Sequence, residues 1–304
     1  MEGIIPLYKP KGMTSHDCVF KLRKILKMKR IGHTGTLDPE VTGVLPICIG
    51  KATKVAEYIT DAGKTYEGEV TLGFSTTTED ASGEVVETRK VDRVILKSEI
   101  IEMLHTFTGT IRQTPPMFSA VKVNGKRLYE YARQGIEIER PTRLVTIYSI
   151  ELLDDSLING ETTSFRFRVA CSKGTYIRTL AVMIGEALGF PAHMSELSRI
   201  KSATFSLSDC FTLEEIETRM SDGSITDILY PIETALTHLP KYRINDKITE
   251  KVKNGAVLPI PDHFKKEDHL LVLESEDGKA LAIYIHHPEK PGMMKPAKVL
   301  RSVE

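Results

Sequence analysis

Apolar and polar positions along the chain first predict a short strand at Ile4-Ile5-Pro6-Leu7. A helix follows to about Lys29, which Thr14 or Ser15 can cap. Val19, Leu22 and Leu26 fall on one face of it, leaving Lys21, Arg23, Lys24, Lys27 and Lys29 outward. Lys51 to Asp61 reads as a second helix. Tyr66, Gly68, Val70 and Leu72 alternate as in a half-buried strand, with Glu84 to Arg89 as its expected pairing partner. Glu99 to Phe107 is helical by pattern, and Thr114-Pro115-Pro116 ends regular structure.

Residues 114–142 form a separate unit, in which Asn124-Gly125 marks a tight turn before a helical run from Leu128 to Arg133. Arg143 to Leu153 and Thr163 to Cys171 read as strands. Ile177, Leu180, Ala181, Ile184 and Leu188 recur at helical spacing and stop at Gly189. Leu197 to Leu207 is expected to return to the sheet, and a short helix follows at about Leu213 to Arg219. Beyond Pro240 short apolar runs separated by Asn254-Gly255 and Asp277-Gly278 predict a small all-β unit. The expected division is 1–236 and 237–304.

At 304 residues the chain is long enough for one large domain and a small companion. No run of eighteen apolar residues occurs, and Met1-Glu2-Gly3 lacks the charged-then-apolar order of a signal peptide, so a cytoplasmic protein away from membranes is expected. Cys18, Cys48, Cys171 and Cys210 are widely spaced and predict buried thiols, with neither zinc nor disulfides. The formal net charge is zero, which by itself argues against a nucleic-acid partner. Its distribution changes that picture: residues 1–54 carry ten Lys/Arg against four Asp/Glu, whereas residues 209–233 carry one against seven. Such opposed fields can present one basic face to RNA.

The most informative segment is Gly32-His33-Thr34-Gly35-Thr36-Leu37-Asp38-Pro39. It sets a lone carboxylate on a turn freed by two glycines and fixed by a following proline. An Asp-Pro pair alone marks only a turn. Here Tyr8-Lys9-Pro10-Lys11-Gly12-Met13-Thr14-Ser15 precedes it, Thr42-Gly43-Val44-Leu45-Pro46 follows, and Cys171-Ser172-Lys173-Gly174-Thr175-Tyr176-Ile177-Arg178-Thr179-Leu180 lies downstream. Ile49-Gly50-Lys51-Ala52 matches only the end of a phosphate-binding loop, lacking the earlier glycine and the final hydroxyl.

Together these blocks resemble the TruB family of tRNA pseudouridine synthases over roughly residues 3–205. The resemblance implies an α/β fold of the α+β type, a pseudouridine synthase fold with a mixed, largely antiparallel central sheet. It also implies a thumb-like insertion at 114–142 that closes over RNA, and a small C-terminal PUA-like RNA-binding domain. The implied activity is isomerisation of uridine 55 in the tRNA T loop, with the base flipped out of its stack. That reaction breaks N1–C1′, turns the base and joins C5 to C1′, with no electron or phosphate exchanged, so no cofactor and no metal are expected.

By the same resemblance Asp38 is the catalytic residue, and Arg178 pairs with it to hold its orientation. Tyr66 packs on the uracil, Tyr176 and Leu197 complete the pocket, and His33 wedges against the RNA. Two positions depart from the family pattern: Leu197-Ser198-Arg199-Ile200 stands where Leu-Arg-Arg-Thr is usual, and Phe118 where tyrosine is common. The expected partner is the T-arm of tRNA, and the chain is expected to work as a monomer with no obligatory protein partner. Two rivals are a guide-RNA-dependent pseudouridine synthase and a non-catalytic tRNA-folding module.

Overall fold

The computed structural model describes residues 1–153 and 156–302. Its frame is a nine-stranded sheet. Seven strands run in the order Gly3–Lys9, Thr42–Ile49, Ala192–Ser202, Lys64–Leu72, Thr163–Cys171, Arg143–Leu152 and Gly109–Gln113. Ile31–His33 adds to Thr42–Ile49, and Phe205–Ser206 to Ala192–Ser202. The pairing of Thr42–Ile49 with Ala192–Ser202 is parallel, and the other pairings in this sheet are antiparallel. The expected mixed, largely antiparallel sheet is therefore the architecture of the chain.

Sequence chemistry explains the local choices. Lys64–Leu72 and Thr163–Cys171 alternate strictly between buried and half-buried or exposed positions, as a strand with one face on a core requires. The helix Ser15–Ile25 starts at Thr14, whose side chain accepts from the Asp17 backbone N–H in a reciprocal capping box. It ends a turn before Lys29, because Lys27 adopts a positive φ of 51°. The helix Ile177–Leu188 stops at Gly189 in the left-handed conformation, as its sequence predicts. It lies against the sheet with Ile177, Leu180, Ala181, Ile184 and Leu188 buried.

Three expectations about neighbours change. The strand Val85–Thr88 pairs with Phe74–Thr76, not with Lys64–Leu72, whose two edges are already taken by Thr163–Cys171 and Ala192–Ser202. The return strand begins at Ala192, five residues before Leu197, and turns through Ala203 and Thr204 into Phe205–Ser206. The segment after Pro240 contains a five-stranded sheet and also a helix, Asp246–Lys253, capped by Asn245.

That second sheet shares a core with the first. Val272, Ala280, Ile283 and Leu300 are buried in one cluster with Ile4, Val44, Cys48, Val55 and Ile59. Lys54 also donates to the backbone carbonyls of Val299 and Leu300 at 2.8 and 3.2 Å. Among the described residues no helix is long and apolar enough to cross a membrane.

Candidate active site

The loop carrying Asp38 is pinned from several sides. Thr34 donates through its hydroxyl to the Pro46 carbonyl at 3.1 Å. The Ser15 hydroxyl accepts from the Leu37 N–H at 2.8 Å and donates to the Leu37 carbonyl at 3.1 Å. Just past the aspartate, the buried Lys9 ammonium donates to the carbonyls of Pro39, Pro10 and Met13 at 3.0, 2.7 and 2.5 Å. Burial lowers the Lys9 pKa from its ordinary value. These contacts tie the basic helix, the Lys9–Met13 turn and the aspartate loop into one unit, which restricts where the carboxylate points.

Asp38 meets Arg178 at 3.0 Å. The arginine stands at the start of the Ile177–Leu188 helix, where a positive charge gains nothing from the helix dipole, and its position is set by other partners. Its Nη1 donates to the Thr78 carbonyl at 2.8 Å and lies 3.5 Å from Asp80, while Nη2 also donates to the Phe118 carbonyl at 2.9 Å. One guanidinium thus joins the aspartate loop, the 76–80 turn and the 114–142 insertion. The insertion is closed at its base by the hydroxyls of Thr114 and Thr142, 3.1 Å apart, and anchored by the fully buried Leu128. Phe118 contributes its backbone here, so the absence of a tyrosine hydroxyl leaves this contact intact.

A cavity of about 270 Å³ opens beside this pair. Asp38, Tyr66, Tyr176, Arg178 and Leu197 all line it, so the structure brings five of the six expected residues together. Tyr66 is buried, and burial raises the pKa of its phenol, with the neighbouring Arg199 acting in the opposite direction. Tyr176 is held through its backbone by Gln113, which accepts from its N–H at 3.0 Å and donates to its carbonyl at 3.1 Å. Burial raises the Tyr176 phenol pKa as well. Leu197, Arg178 and Val41 separate this cavity from a second one of about 450 Å³, which takes in Asp80, Glu67 and Arg166. His33 does not line either cavity. It sits on the Ile31–His33 strand opposite Ile47, and burial lowers its pKa.

Three cavity or support residues were not expected from the sequence. Asp80 gives Arg178 its second carboxylate. Lys64 lines the cavity, donates to the carbonyls of Thr60 and Ala62 at 2.8 and 3.1 Å, and has its pKa lowered to about 8 by burial. Arg199, with no exposed surface, also lines the cavity and stands opposite Tyr66 on the neighbouring strand. Gly43 makes room for its strand: a Cβ there would come within 2.2 Å of the Arg199 carbonyl oxygen.

Residues 23–177 match the N-terminal domain of TruB family pseudouridylate synthases, and residues 178–237 match the tRNA pseudouridylate synthase B C-terminal domain. With the sheet and the cavity, these matches define an RNA-isomerising enzyme of the pseudouridine synthase class. The chain belongs to the TruB family. It is 61% identical to the tRNA pseudouridine synthase B of Geobacillus thermodenitrificans, over 99% of this chain and 100% of that protein. It is 62% identical to the protein of the same name from Bacillus anthracis, over 99% of this chain and 97% of that protein. A chain in the crystal structure of a Cbf5-Nop10-Gar1 complex superposes with a TM-score of 0.77 at 32% identity, covering 99% of this chain and 85% of that one.

Proposed function

We propose that this enzyme converts uridine 55 in the T loop of tRNA to pseudouridine, with Asp38 as its catalytic residue and the target base flipped into the cavity over Tyr66. The observation that carries the reading is the Asp38–Arg178 pair at 3.0 Å on a cavity lined by Tyr66, Tyr176 and Leu197. A flipped base needs an aromatic or aliphatic surface while it turns, and those three side chains supply one. The half-exposed carboxylate is free to attack C6 of the base or C1′ of the sugar, or to remove a sugar proton. All three routes end with C5 joined to C1′, a proton lost from C5 and a proton gained at N1.

His33, which lines neither cavity, takes the family position of a wedge against the RNA, and the 114–142 insertion acts as the thumb over it. The enzyme works in the cytoplasm on the T-arm, as a monomer without cofactor or obligatory protein partner. Residues 237–304 form the PUA-like unit that adds RNA affinity.

The likeness to a chain from the Cbf5-Nop10-Gar1 complex, and to one in the structure of an H/ACA RNP bound to a substrate RNA, favours a second reading, in which targeting depends on a ribonucleoprotein. The full-length relatives at 61–62% identity, each named tRNA pseudouridine synthase B, support the stand-alone reading over it. A single-turnover assay on unmodified tRNA and on an isolated T-arm hairpin, with no guide RNA or added protein, tests the proposal. Pseudouridine formed at position 55 in both supports it. Binding without product would make the chain a tRNA-folding module under these conditions and sink the catalytic assignment.

A further inference from the structure

Tyr66 and Arg199 are direct register partners on neighbouring antiparallel strands, so both side chains leave the same face of the sheet, next to Val169 on one side and Gly43 on the other. The strand register shifts between Arg199 and Lys201, a bulge of the kind that re-aims a side chain. The Arg199 guanidinium is fully buried. Its Nε donates to the Val44 carbonyl at 2.7 Å and its Nη2 to the Gly35 carbonyl at 3.3 Å, which places it under the aspartate loop as well as beside the phenol. Among the described residues its buried Nη1 makes no hydrogen bond of ordinary geometry, while the guanidinium lies close enough to the Tyr66 phenol to favour its ionised form. Among the described residues no carboxylate lies within ion-pair distance of it. A buried cation with an unengaged donor and no counter-ion is costly unless something anionic forms beside it.

We propose that Arg199 is a positioning residue that acts through Tyr66: it fixes the phenol where its oxygen relays the proton lost from C5 of the uracil, and its unengaged Nη1 meets the negative charge that forms on that oxygen. The proposal rests on the reading of the cavity as the uridine site. In the step, the glycosidic bond breaks with its electron pair on N1, which takes the phenol hydrogen. After C5 bonds to C1′, the C5–H bond breaks, its electron pair returns to the ring, and the proton restores the phenol. One proton leaves C5 and one arrives at N1, with no oxidant or outside acid. A preorganised donor at the site of developing charge lowers the barrier because it needs no rearrangement. The other titratable or charged groups facing Tyr66 are Cys171 on the Thr163–Cys171 strand and Asp38 on its loop, and Lys64 faces Arg199 from Tyr66's own strand. Asp38 opposes negative charge on the phenol, and Cys171, whose thiol burial pushes up to about 11, adds to that opposition only at alkaline pH, which leaves Arg199 to offset them.

The test uses the full-length protein carrying ¹³C-labelled tyrosine, with Tyr66 followed by NMR across alkaline pH in the absence of RNA, alongside single-turnover rates on tRNA. In Arg199→Gln the Tyr66 midpoint should rise by about one pH unit or more. The rate at saturating enzyme should fall at least about tenfold while tRNA affinity changes less than about threefold. Arg199→Lys should recover part of both losses. Arg199→Met replaces Arg199→Gln if the latter does not fold. An unmoved Tyr66 midpoint, an unchanged rate, or failure of both neutral variants to fold overturns the proposal. Because the titration is read without RNA, its failure is distinguishable from failure of the uridine-55 assignment, which shows as an inactive wild-type protein.

Discussion

Arg178 and Asp38 meet at 3.0 Å with unequal exposure: the arginine side chain is 7% exposed and the carboxylate 43%. The buried cation is held by backbone carbonyls and Asp80, whereas the carboxylate keeps a face open to the cavity. This division makes the arginine a fixed support and leaves the aspartate available to a substrate.

Asp38→Asn preserves shape and removes the carboxylate that the proposed chemistry uses. Single-turnover pseudouridine formation should disappear, while tRNA affinity stays within about tenfold, or roughly 1.4 kcal/mol. Filter binding and product analysis on the same preparation check both halves. Substantial residual product would remove Asp38 from the chemistry.

Arg178→Met strands the carbonyls of Thr78 and Phe118 along with two carboxylates. Unpaired buried polar groups cost about 1–3 kcal/mol, so the urea midpoint should fall accordingly. Because Phe118 belongs to the 114–142 insertion, limited proteolysis should cut that segment faster in the variant than in the wild type. Equal cleavage rates would show that Arg178 does not tether it.

The two Tyr66 substitutions separate surface from hydroxyl. Tyr66→Phe keeps the ring that the proposal sets against the base and should lower the single-turnover rate at least about tenfold with binding intact. Tyr66→Leu should lower it further. A near-normal rate for Phe excludes an essential hydroxyl, and a near-normal rate for Leu excludes both roles.

The site is unevenly legible in the sequence, for physical reasons. Asp38 announces itself because its glycines, histidine and proline are contiguous and shape a single loop. Arg178 is recognisable from its own block, but no local spacing reveals a contact across 140 positions with Asp38, and only the folded sheet makes it. Arg199 is hidden because a charge on a strand normally marks the solvent face, and here the sheet is covered where it sits. The helix Asp246–Lys253 escapes notice because only Thr249 and Val252 of its eight residues are buried. Val85–Thr88 is exposed along its length, so alternation could not name its partner strand.

Lys64 predicts a pH signature. Burial lowers its pKa from 10.5 to about 8, so between those values the native state holds fewer protons than the unfolded chain. The penalty for burying the charged form is complete below about pH 8 and is relieved as pH rises to about 10.5, and stability from this group therefore rises across that window. The full span corresponds to about 3 kcal/mol. Denaturant unfolding at pH 7.5 and 10.5 should show the wild type gaining that much relative to Lys64→Met. Parallel pH dependence in the two proteins would mean that Lys64 titrates normally.

The segment from Lys241 onward carries twelve Lys/Arg against ten Asp/Glu, so its electrostatic contribution to RNA binding should be modest beside that of the basic first 54 residues. Deleting it is a poor test, because Val272, Ala280, Ile283 and Leu300 bury Ile4, Val55 and Ile59, and truncation would uncover that shared core. Charge substitutions in the full chain keep the core. Lys266 and Lys290 border a cavity of about 810 Å³ on the second sheet, where Phe264 stacks on His286 with ring centroids 4.2 Å apart. Each lysine that contacts a phosphate contributes about one unit to the salt slope of binding. Lys266→Ala with Lys290→Ala should therefore weaken tRNA binding and make it less salt-dependent. The single-turnover rate at saturating enzyme should not change, because every cavity residue around Asp38 lies before residue 200. Unaltered affinity and salt slope would remove this face from the RNA footprint, whereas a lower saturating rate would mean that the second sheet shapes the active site through the core it shares with the first.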